Sequence, residues 1–379
     1  MSQSFDVLVR GAGIVGQTTA LLMAQSRLRV GLVGRGSQRA GPDVRAYALN
    51  AAARSLLQSL RAWPEPQHCT PVARMQVWGD DGGAMEFDAD KVGCEALAWI
   101  VDVPALEASL DAALHYQPLV EPVSGEAPGP LSASLTVVSE GAASVSRASH
   151  AIEYIAVPYP QHAIAARLRC AGGHGGVARQ WFVRSARGAE VVALLPMHGD
   201  EVALVWSVPG EHVPALLALD AADFEQALQA SCALAAGEAG AAALPAALHL
   251  TSARAAWPLQ RAQASRWVEP GLALVGDAAH TVHPLAGQGL NLGLADAAEL
   301  ARVVAGREYW RMPGDLRVLR RYERARKADV ARMGLATDAL ERLFAHADPR
   351  VQALRNWGMQ GFARSGPLKD WMARQAMGV

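Results

Sequence analysis

Phe5-Asp6-Val7-Leu8-Val9-Arg10-Gly11-Ala12-Gly13-Ile14-Val15-Gly16 stands near the start of this 379-residue chain. Phe5–Val9 is a short apolar run that reads as a strand. The spacing Gly11-x-Gly13-x-x-Gly16 follows, then a helical stretch from Gln17 to Ser26 and a second strand over Leu28–Val33. Strand, glycine turn, helix and strand make one βαβ unit, which points to an α/β fold with a parallel sheet. The first glycine permits the tight turn, the second lets backbone approach a pyrophosphate, and the third lets helix and strand pack closely. The helix N-terminus then faces the phosphates. This context points to dinucleotide binding, with an ordinary tight βα turn as the plainer alternative. An acid about 20 residues on would hold the adenosine ribose. In Leu32-Val33-Gly34-Arg35 a glycine takes that place. Three explanations are open: water and backbone replace the acid, Arg35 holds the adenosine end differently, or affinity is reduced.

Beyond this unit, residues 43–62 have helical periodicity, 74–87 read as a β-hairpin around Gly79–Gly83, and Asp102–Leu114 reads as a helix. Residues 117–134 are rich in Pro, Gly and Ser and read as loop before a strand at Leu135–Val138. From 161 to 208 strand follows strand (Ala163–Leu168, Val177–Val183, Val191–Met197, Val202–Val208), an antiparallel pattern. Asp223–Ala236 reads as a helix and His249–Trp257 as a strand ending at Pro258. Gly271–Val275 is a buried-type strand, and from about Leu290 onward the pattern is mostly helical.

Composition narrows the function classes. A hydrophobic fraction of 51% is enough for a large core, and the length suits two or three structural units. The net charge of −1 argues against nucleic acid as a main partner. That average hides an asymmetry: residues 302–379 carry 16 basic and 8 acidic side chains, a local +8 against −9 for the rest. The four cysteines, Cys69, Cys94, Cys170 and Cys232, are widely spaced; they form no CxxC pair and suit a reducing interior. No metal cluster is expected. Met-Ser-Gln-Ser leads straight into the first strand without a secretory leader pattern, and no uncharged apolar run approaches the ~20 residues that span a bilayer. The expected location is cytoplasmic, with peripheral contact at the inner face of a membrane open.

A second stretch carries the chemistry: Leu274-Val275-Gly276-Asp277-Ala278-Ala279-His280-Thr281-Val282-His283-Pro284-Leu285-Ala286-Gly287-Gln288-Gly289-Leu290-Asn291-Leu292-Gly293. A strand delivers one aspartate, and a glycine-rich turn opens a helix. That combination offers a carboxylate for sugar-like hydroxyls and bare amides for a group that becomes anionic. A nicotinamide dinucleotide needs no such second site. A flavin does, because its ribityl chain carries hydroxyls and its reduced ring gains negative charge.

On these residues the chain resembles the group A flavoprotein monooxygenases, and within them most closely the ubiquinone-biosynthesis hydroxylases. Gly11–Gly16 matches the family fingerprint, and Asp43-Val44-Arg45 matches its D-x-R stretch. Ser139-Glu140-Gly141-Ala142-Ala143-Ser144 falls where the family has A-D-G-x-x-S, with Glu140 departing from Asp. Gly276-Asp277 matches the GD motif, and His283-Pro284 with Gly287-Gln288-Gly289-Leu290-Asn291 matches its extension. Tyr159-Pro160-Gln161, Leu195-Pro196-Met197 and Val205-Trp206-Ser207 look like the family's substrate domain.

The resemblance implies an α/β fold. A Rossmann-like FAD-binding domain (1–68, 96–150 and 265–310) is interrupted by an antiparallel-sheet substrate domain (69–95 and 151–264) and followed by a helical C-terminal segment (311–379). It implies FAD as cofactor, NAD(P)H as transient reductant and O2 as co-substrate. The implied reaction is hydroxylation of an aromatic ring, that of a polyprenyl-phenol or a related intermediate of ubiquinone biosynthesis, through a flavin C4a-hydroperoxide. A hydroxylase of a small soluble aromatic and a non-catalytic scaffold are the rival readings. The implied cofactor residues are Gly11, Gly13, Gly16, Arg35, Arg45, Gly276, Asp277, Pro284, Gly287, Gln288, Gly289, Leu290 and Asn291. Asp277 would take the ribityl chain, and Gly287–Gly289 the pyrimidine edge.

No Ser/His/Asp set or paired-carboxylate motif stands out; no catalytic residue is assigned beyond the flavin environment, where His283 and Pro284 are candidates. His280 and His283 have two readings, acid–base groups or turn-packing residues. Trp181, Phe182 and Trp206 are sheet core or a wall of the substrate pocket. Arg317, Arg320, Arg321, Arg324, Arg326 and Lys327 share one expected helix. They form a solvated face, or they are attracted to an anionic membrane or to a partner presenting a lipid-soluble substrate.

Overall fold

The structure is a computed structural model that describes residues 3–34, 43–79, 84–123, 131–185, 188–242, 247–282 and 288–345. β1 (Gln3–Arg10), α1 (Ile14–Gln25) and β2 (Val30–Val33) form the expected βαβ unit. Next come β3 (Ala46–Leu49), α2 (Ala51–Ser59), β4 (Cys69–Pro71), β5 (Arg74–Trp78), β6 (Ala84–Asp88), α3 (Ala89–Val92), β7 (Trp99–Asp102) and α4 (Val103–His115). β8 (Val120–Val123), β9 (Leu131–Val138) and α5 (Val145–Ser149) precede four long strands: β10 (Tyr154–Cys170), β11 (Val177–Ser185), β12 (Gly188–Pro196) and β13 (Glu201–Pro209). α6 (Val213–Ala218), α7 (Ala221–Ala242), β14 (Leu248–Leu250), β15 (Ala255–Ala264), β16 (Val268–Glu269) and β17 (Leu272–Leu274) follow. A 3-10 turn at Gly276–Ala278, β18 (His280–Thr281), α8 (Gln288–Ala305) and α9 (Leu316–Ala345) complete the described chain.

Three sheets result. The first has the order β16-β17-β9-β1-β2-β8 and is parallel except for β16. Val7, Val9, Val30, Leu135, Val137 and Leu274 fill its centre. The chain leaves β1 toward β2 on one side and returns as β9 on the other, so β1 lies at a switch point where carboxyl ends of strands leave a crevice. The second sheet runs β18-β15-β10-β13-β12-β11-β5-β6, with β14 also paired to β10. It is antiparallel except where β11 meets the hairpin strand β5 in parallel. The third, β3-β7-β4, is a short antiparallel sheet between the other two.

The second sheet buries its two faces differently. On β12, Glu190, Val192 and Leu194 are buried while Val191, Ala193 and Leu195 are half-buried. One face packs Ile164, Val192, Trp181 and Trp206 beneath α6 and α7, against Phe224, Leu228 and Cys232. The other receives β3, where Ala46 and Ala48 meet Leu195 and Ala203.

Three local expectations are corrected. The helix over 43–62 is only Ala51–Ser59, and Ala46–Leu49 is a strand instead. Pairing with β7 outweighs the weak helix preference of this Ala-rich stretch, and Asn50 starts the helix by accepting from the Ala53 N–H at 2.9 Å. The loop read over 117–134 contains β8 and the start of β9; Pro122 is tolerated because β8 is an edge strand. The strand expected to stop at Pro258 continues to Ala264, because Pro258 sits opposite His162 at the edge of the register shift between Pro158 and His162, where no ladder N–H is required.

Candidate functional site

The fold gathers four sequence-distant turns at neighbouring carboxyl strand ends: Gly34 after β2, Gly11–Gly16 after β1, Ser139-Glu140 after β9, and Gly276-Asp277 after β17. Gly11 has φ +108°, and a Cβ there would stand 2.4 Å from the Ser139 carbonyl oxygen. The Ser139 hydroxyl donates to the Arg10 and Gly11 carbonyls at 3.0 and 2.9 Å, which ties the two turns together. A Cβ on Gly16 would lie 1.8 Å from the Gly11 oxygen. Gly13 is different: nothing lies within 4 Å of a Cβ there. It is also the N-cap of α1, which has no side-chain cap and no acid in its first turn. The positive end of α1 therefore opens on free space beside a bare glycine, as a phosphate requires.

Gly34, where the ribose acid was expected, has φ +128°, and a Cβ there would come 3.2 Å from the Ala12 N–H nitrogen. The strand end turns against the glycine loop in a conformation that suits glycine, which explains the missing acid. Glu140 is held within its own turn. Its carboxylate accepts from the Ser144 hydroxyl (2.7 Å), the Ser146 N–H (2.9 Å) and the Ser146 hydroxyl (2.6 Å), capping α5. Burial would raise its pKa, but these hydrogen bonds and the charge of Arg10 hold it below the usual value.

The Gly276-Asp277 turn meets both helix starts. A Cβ on Gly293 of α8 would touch Val15 of α1 at 2.8 Å and the Gly276 Cα at 3.4 Å. Gly276 itself has φ +59°. Asp277 is exposed, yet protein surrounds it on most sides, and that desolvation pushes its carboxyl above the usual range; nearby Asp296 adds to this and His280 opposes it. Its backbone oxygen accepts from the Tyr154 hydroxyl at 2.8 Å. At the start of α8, Gly289 has open space around a built Cβ, and no acid lies in the first turn. The uncapped start of α1, the start of α8, two open glycines and one exposed carboxylate thus lie around one crevice. That donor set fits a flavin dinucleotide: phosphates at α1, ribityl hydroxyls at Asp277, and a ring edge that becomes anionic at α8.

Other expected residues are held by contacts within the protein. Arg45 is gripped by Asp43, with Nη2 to Oδ2 at 2.6 Å and Nε to Oδ1 at 2.8 Å, and its Nη1 donates to the Tyr47 hydroxyl at 3.2 Å. Asn291 is buried. Its amide donates to Ala48 O at 2.8 Å and accepts from Asn50 N–H at 3.0 Å, clamping β3 to α8, while Leu290 packs on the main core. Arg35, His283, Pro284 and Gly287 lie outside the described residues; Gln288 opens α8.

Of the two readings of His280, burial favours the turn-packing one, with a carboxylate as its partner. Its Nε2 stands 2.6 Å from Asp296 Oδ2, and its ring stacks on Trp267 at 4.8 Å. Trp206 Nε1 donates to buried Glu190 at 3.0 Å, and Trp181 stacks on Trp78 at 5.0 Å, so both tryptophans are core. Phe182 is on the opposite, half-buried face. Among the expected cationic cluster, Arg326 is buried against Asp296 at 2.7 Å, whereas Arg317, Arg320, Arg321 and Arg324 are exposed.

The sequence reading missed Arg147 and Asp296. Arg147 is buried, donates to Ala278 O (3.1 Å) and Ala142 O (2.6 Å), and lies 3.6 Å from the Tyr154 ring centroid. Asp296 had a readable signal: it falls four residues from both Leu292 and Leu300 on the buried face of α8, where a lone acid demands a partner. Among the described residues, no group of ligands could hold a metal and no helix is long and apolar enough to cross a membrane. The four cysteines are free thiols.

Comparison with known proteins agrees with this geometry. The model of the FAD binding domain family matches residues 123–335, more than half of the chain. The chain is 30% identical to the 3-demethoxyubiquinol 3-hydroxylase of Escherichia coli, with 100% of both chains covered. It is 33% identical to a ubiquinone hydroxylase of Rhodospirillum rubrum, over 99% of this chain and 90% of that one. The crystal structure of a probable FAD-dependent monooxygenase from Pseudomonas aeruginosa superposes with a TM-score of 0.74 at 23% identity, covering 95% of this chain and 100% of that one. A crevice assembled from four strand ends, in a chain matched along its whole length by a ubiquinone-pathway hydroxylase, is that of an FAD-dependent monooxygenase, and the chain belongs to the FAD binding domain family alongside the ubiquinone-biosynthesis hydroxylases.

Proposed function

We propose that the enzyme hydroxylates the aromatic ring of an apolar, prenylated precursor of ubiquinone, with NAD(P)H as reductant. The observation that carries this reading is the face of the second sheet opposite α6 and α7. Register places Phe182, Val191, Ser207, Ala163 and Trp257 in one row across five strands, and Gln180, Ala193, Val205, Ala165 and Ala255 in the next. Neither row carries a charge, and Arg167 in the row toward β3 is bonded to Asp102 at 2.8 Å, so these two rows suit an uncharged ring better than a carboxylated one. β3 packs at one end of this face and is clamped by Asn291 to the start of α8, which links the face to the flavin crevice. The relatives named above carry the names of ubiquinone-pathway hydroxylases, which supports the same substrate class.

When bound, FAD supplies oxygen activation after accepting electrons from the pyridine nucleotide. The start of α1, with Gly11, Gly13 and Gly16, would hold the pyrophosphate, and Asp277 the ribityl hydroxyls. The amides of Gly287, Gln288 and Gly289 would favour negative charge on the pyrimidine edge. Pro284 would fix the turn beside the ring, with His283 next to it. Arg45, held by Asp43 and Tyr47, and Arg35 would serve the phosphates or the adenosine end. No protein base is assigned: the residues position the ring and exclude water. The division into an FAD domain (1–68, 96–150, 265–310), a substrate domain (69–95, 151–264) and a C-terminal segment (311–379) belongs to this proposal.

The test is twofold. Purified protein should show a flavin spectrum, and Asp277→Ala should weaken FAD binding about tenfold or more, the size of a lost charge-assisted hydrogen bond. Lack of a flavin spectrum after reconstitution would sink the reading. Prenylated phenols should be hydroxylated with a higher kcat/KM than simple phenols; the reverse order would favour the small-aromatic alternative.

The structure also supports peripheral contact with an anionic membrane. The loop between α8 and α9 exposes Tyr309 (94%), Trp310 (67%) and Met312 (62%). Arg321 of α9 reaches Glu308 in that loop at 2.6 Å, placing the aromatic group beside the exposed face of Arg317, Arg320 and Arg324. Interfacial aromatics beside arginines match the headgroup region of a bilayer.

A further inference from the structure

We infer that Asp296 is a positioning residue for the flavin-side turn: with His280 and Arg326 it forms a buried ionic network that staples Gly276-Asp277 into the conformation presenting the Asp277 carboxylate. The inference rests on the reading of Asp277 as the ribityl ligand.

Asp296 is fully buried on α8 between Leu292 and Leu300. A charge there is costly, and a leucine of similar size would fill the space at less expense, so stability alone is a poor reason for it. Its partners show what a leucine could not do. Oδ2 accepts from the Gly276 N–H at 3.0 Å and faces His280 Nε2 at 2.6 Å. Val275 N–H is still bonded to the sheet, at Val138 O (3.0 Å), so Gly276 carries the first backbone donor beyond it. His280 opens β18 at the far end of the turn. One carboxylate oxygen therefore joins both ends of the segment, and exposed Asp277 lies between them.

Oδ1 accepts from Arg326 Nε of α9 at 2.7 Å, and Arg326 Nη2 donates to Leu292 O at 3.3 Å. Burial alone would raise the Asp296 pKa, but His280 and Arg326 hold it below the usual value; the carboxyl is ionised, so His280 Nε2 carries the shared proton. The other face of His280 stacks on Trp267, which packs against Tyr322, whose hydroxyl donates to Leu274 O at 2.7 Å. α8, α9 and β17 thus grip the same turn, whose exposed residue is the one assigned to FAD.

The test is a double-mutant cycle read by titrating apo-protein with FAD and following flavin fluorescence and visible absorption. Asp296→Asn keeps the size but turns an amide N–H toward donors. It should weaken FAD binding about tenfold or more and change the bound-flavin spectrum. Because Asp296 acts through Asp277, adding it to Asp277→Ala should cost little further affinity. His280→Gln, which can still donate to Asp296, should bind FAD nearly as wild type does, whereas His280→Leu should not. Wild-type affinity and spectrum in Asp296→Asn, or losses that multiply in the double variant, overturn the proposal. Unchanged affinity in Asp277→Ala alone overturns the ribityl reading, and this proposal with it. If Asp296→Asn fails to fold, the His280 pair decides: equal affinity in His280→Gln and His280→Leu overturns the network.

Discussion

Gly13 and Gly16 stand three residues apart yet answer to different constraints. Gly16 is closed in by protein, with a built Cβ 1.8 Å from Gly11 O and 2.5 Å from the Ser139 hydroxyl, whereas Gly13 faces open space in an extended conformation any residue can adopt. Gly16→Ala should therefore destabilise the apo-protein by about 1–3 kcal/mol, seen as a lower midpoint in urea. Gly13→Ala should leave apo stability within about 1 kcal/mol and lower FAD affinity instead, measured by fluorescence titration. A stability loss in Gly13→Ala matching that of Gly16→Ala would contradict the assignment of the open space to a ligand. Glu140 gives a pH-dependent case. Its folded pKa is depressed below the usual 4.5, so its contribution is present above about pH 4.5 and lost as pH falls through the folded value. The melting-temperature gap between wild type and Glu140→Gln should be full at pH 7 and shrink below pH 4.5; a gap that widened on acidification would refute the capping role.

Strand β12 and its neighbours show why composition could not separate core from pocket. Trp206 and Phe182 are both aromatic residues on strands, and only register assigns them to opposite faces. Trp206→Ala should cost about 3–5 kcal/mol, because it empties a site packed by Phe224 and bonded to Glu190. Phe182→Ala should change stability less and raise KM for the aromatic substrate with FAD affinity intact. Equal KM values would remove Phe182 from the substrate wall. β3 teaches the same lesson. Its Ala-rich sequence reads as helix, yet pairing with β7 and the clamp from Asn291, 241 residues beyond Asn50, make it a strand. A contact that distant leaves no local trace.

At the scale of the whole molecule, the basic excess in the C-terminal region divides once packing is known. Arg326 turns inward to Asp296, Lys327 pairs with Glu323 at 2.9 Å and Arg321 with Glu308 at 2.6 Å, leaving Arg317, Arg320 and Arg324 outward near Tyr309 and Trp310. The holoenzyme should co-sediment with phosphatidylglycerol vesicles but not with phosphatidylcholine vesicles, and added salt should release it. Replacing Tyr309, Trp310 and Met312 with Ser should reduce binding several-fold while FAD content is retained. Equal sedimentation of this variant, or loss of a wild-type dimer in it, would assign the surface to something other than a bilayer. On the proposed assignment FAD would bridge the turns after β1 and β17, so excess FAD should raise the melting temperature of apo-protein by mass action, and less so in Gly13→Ala.

The sequence by itself determined the α/β class, the glycine turn, the Gly276-Asp277 signature and the four successive strands, because each rests on short-range rules: backbone freedom at glycine, periods of 2 and 3.6, and caps at helix starts. Tertiary structure alone decided which turns share a crevice, why Gly34 replaces an acid, that Glu140 caps a helix, and that Asp296 and Arg326 meet under the flavin-side turn. Those outcomes depend on sheet order and on pairs 20 to 240 residues apart, such as Gly276 with Asp296 and Asn50 with Asn291. A burial cost and its compensating partner are invisible until the chain brings them together.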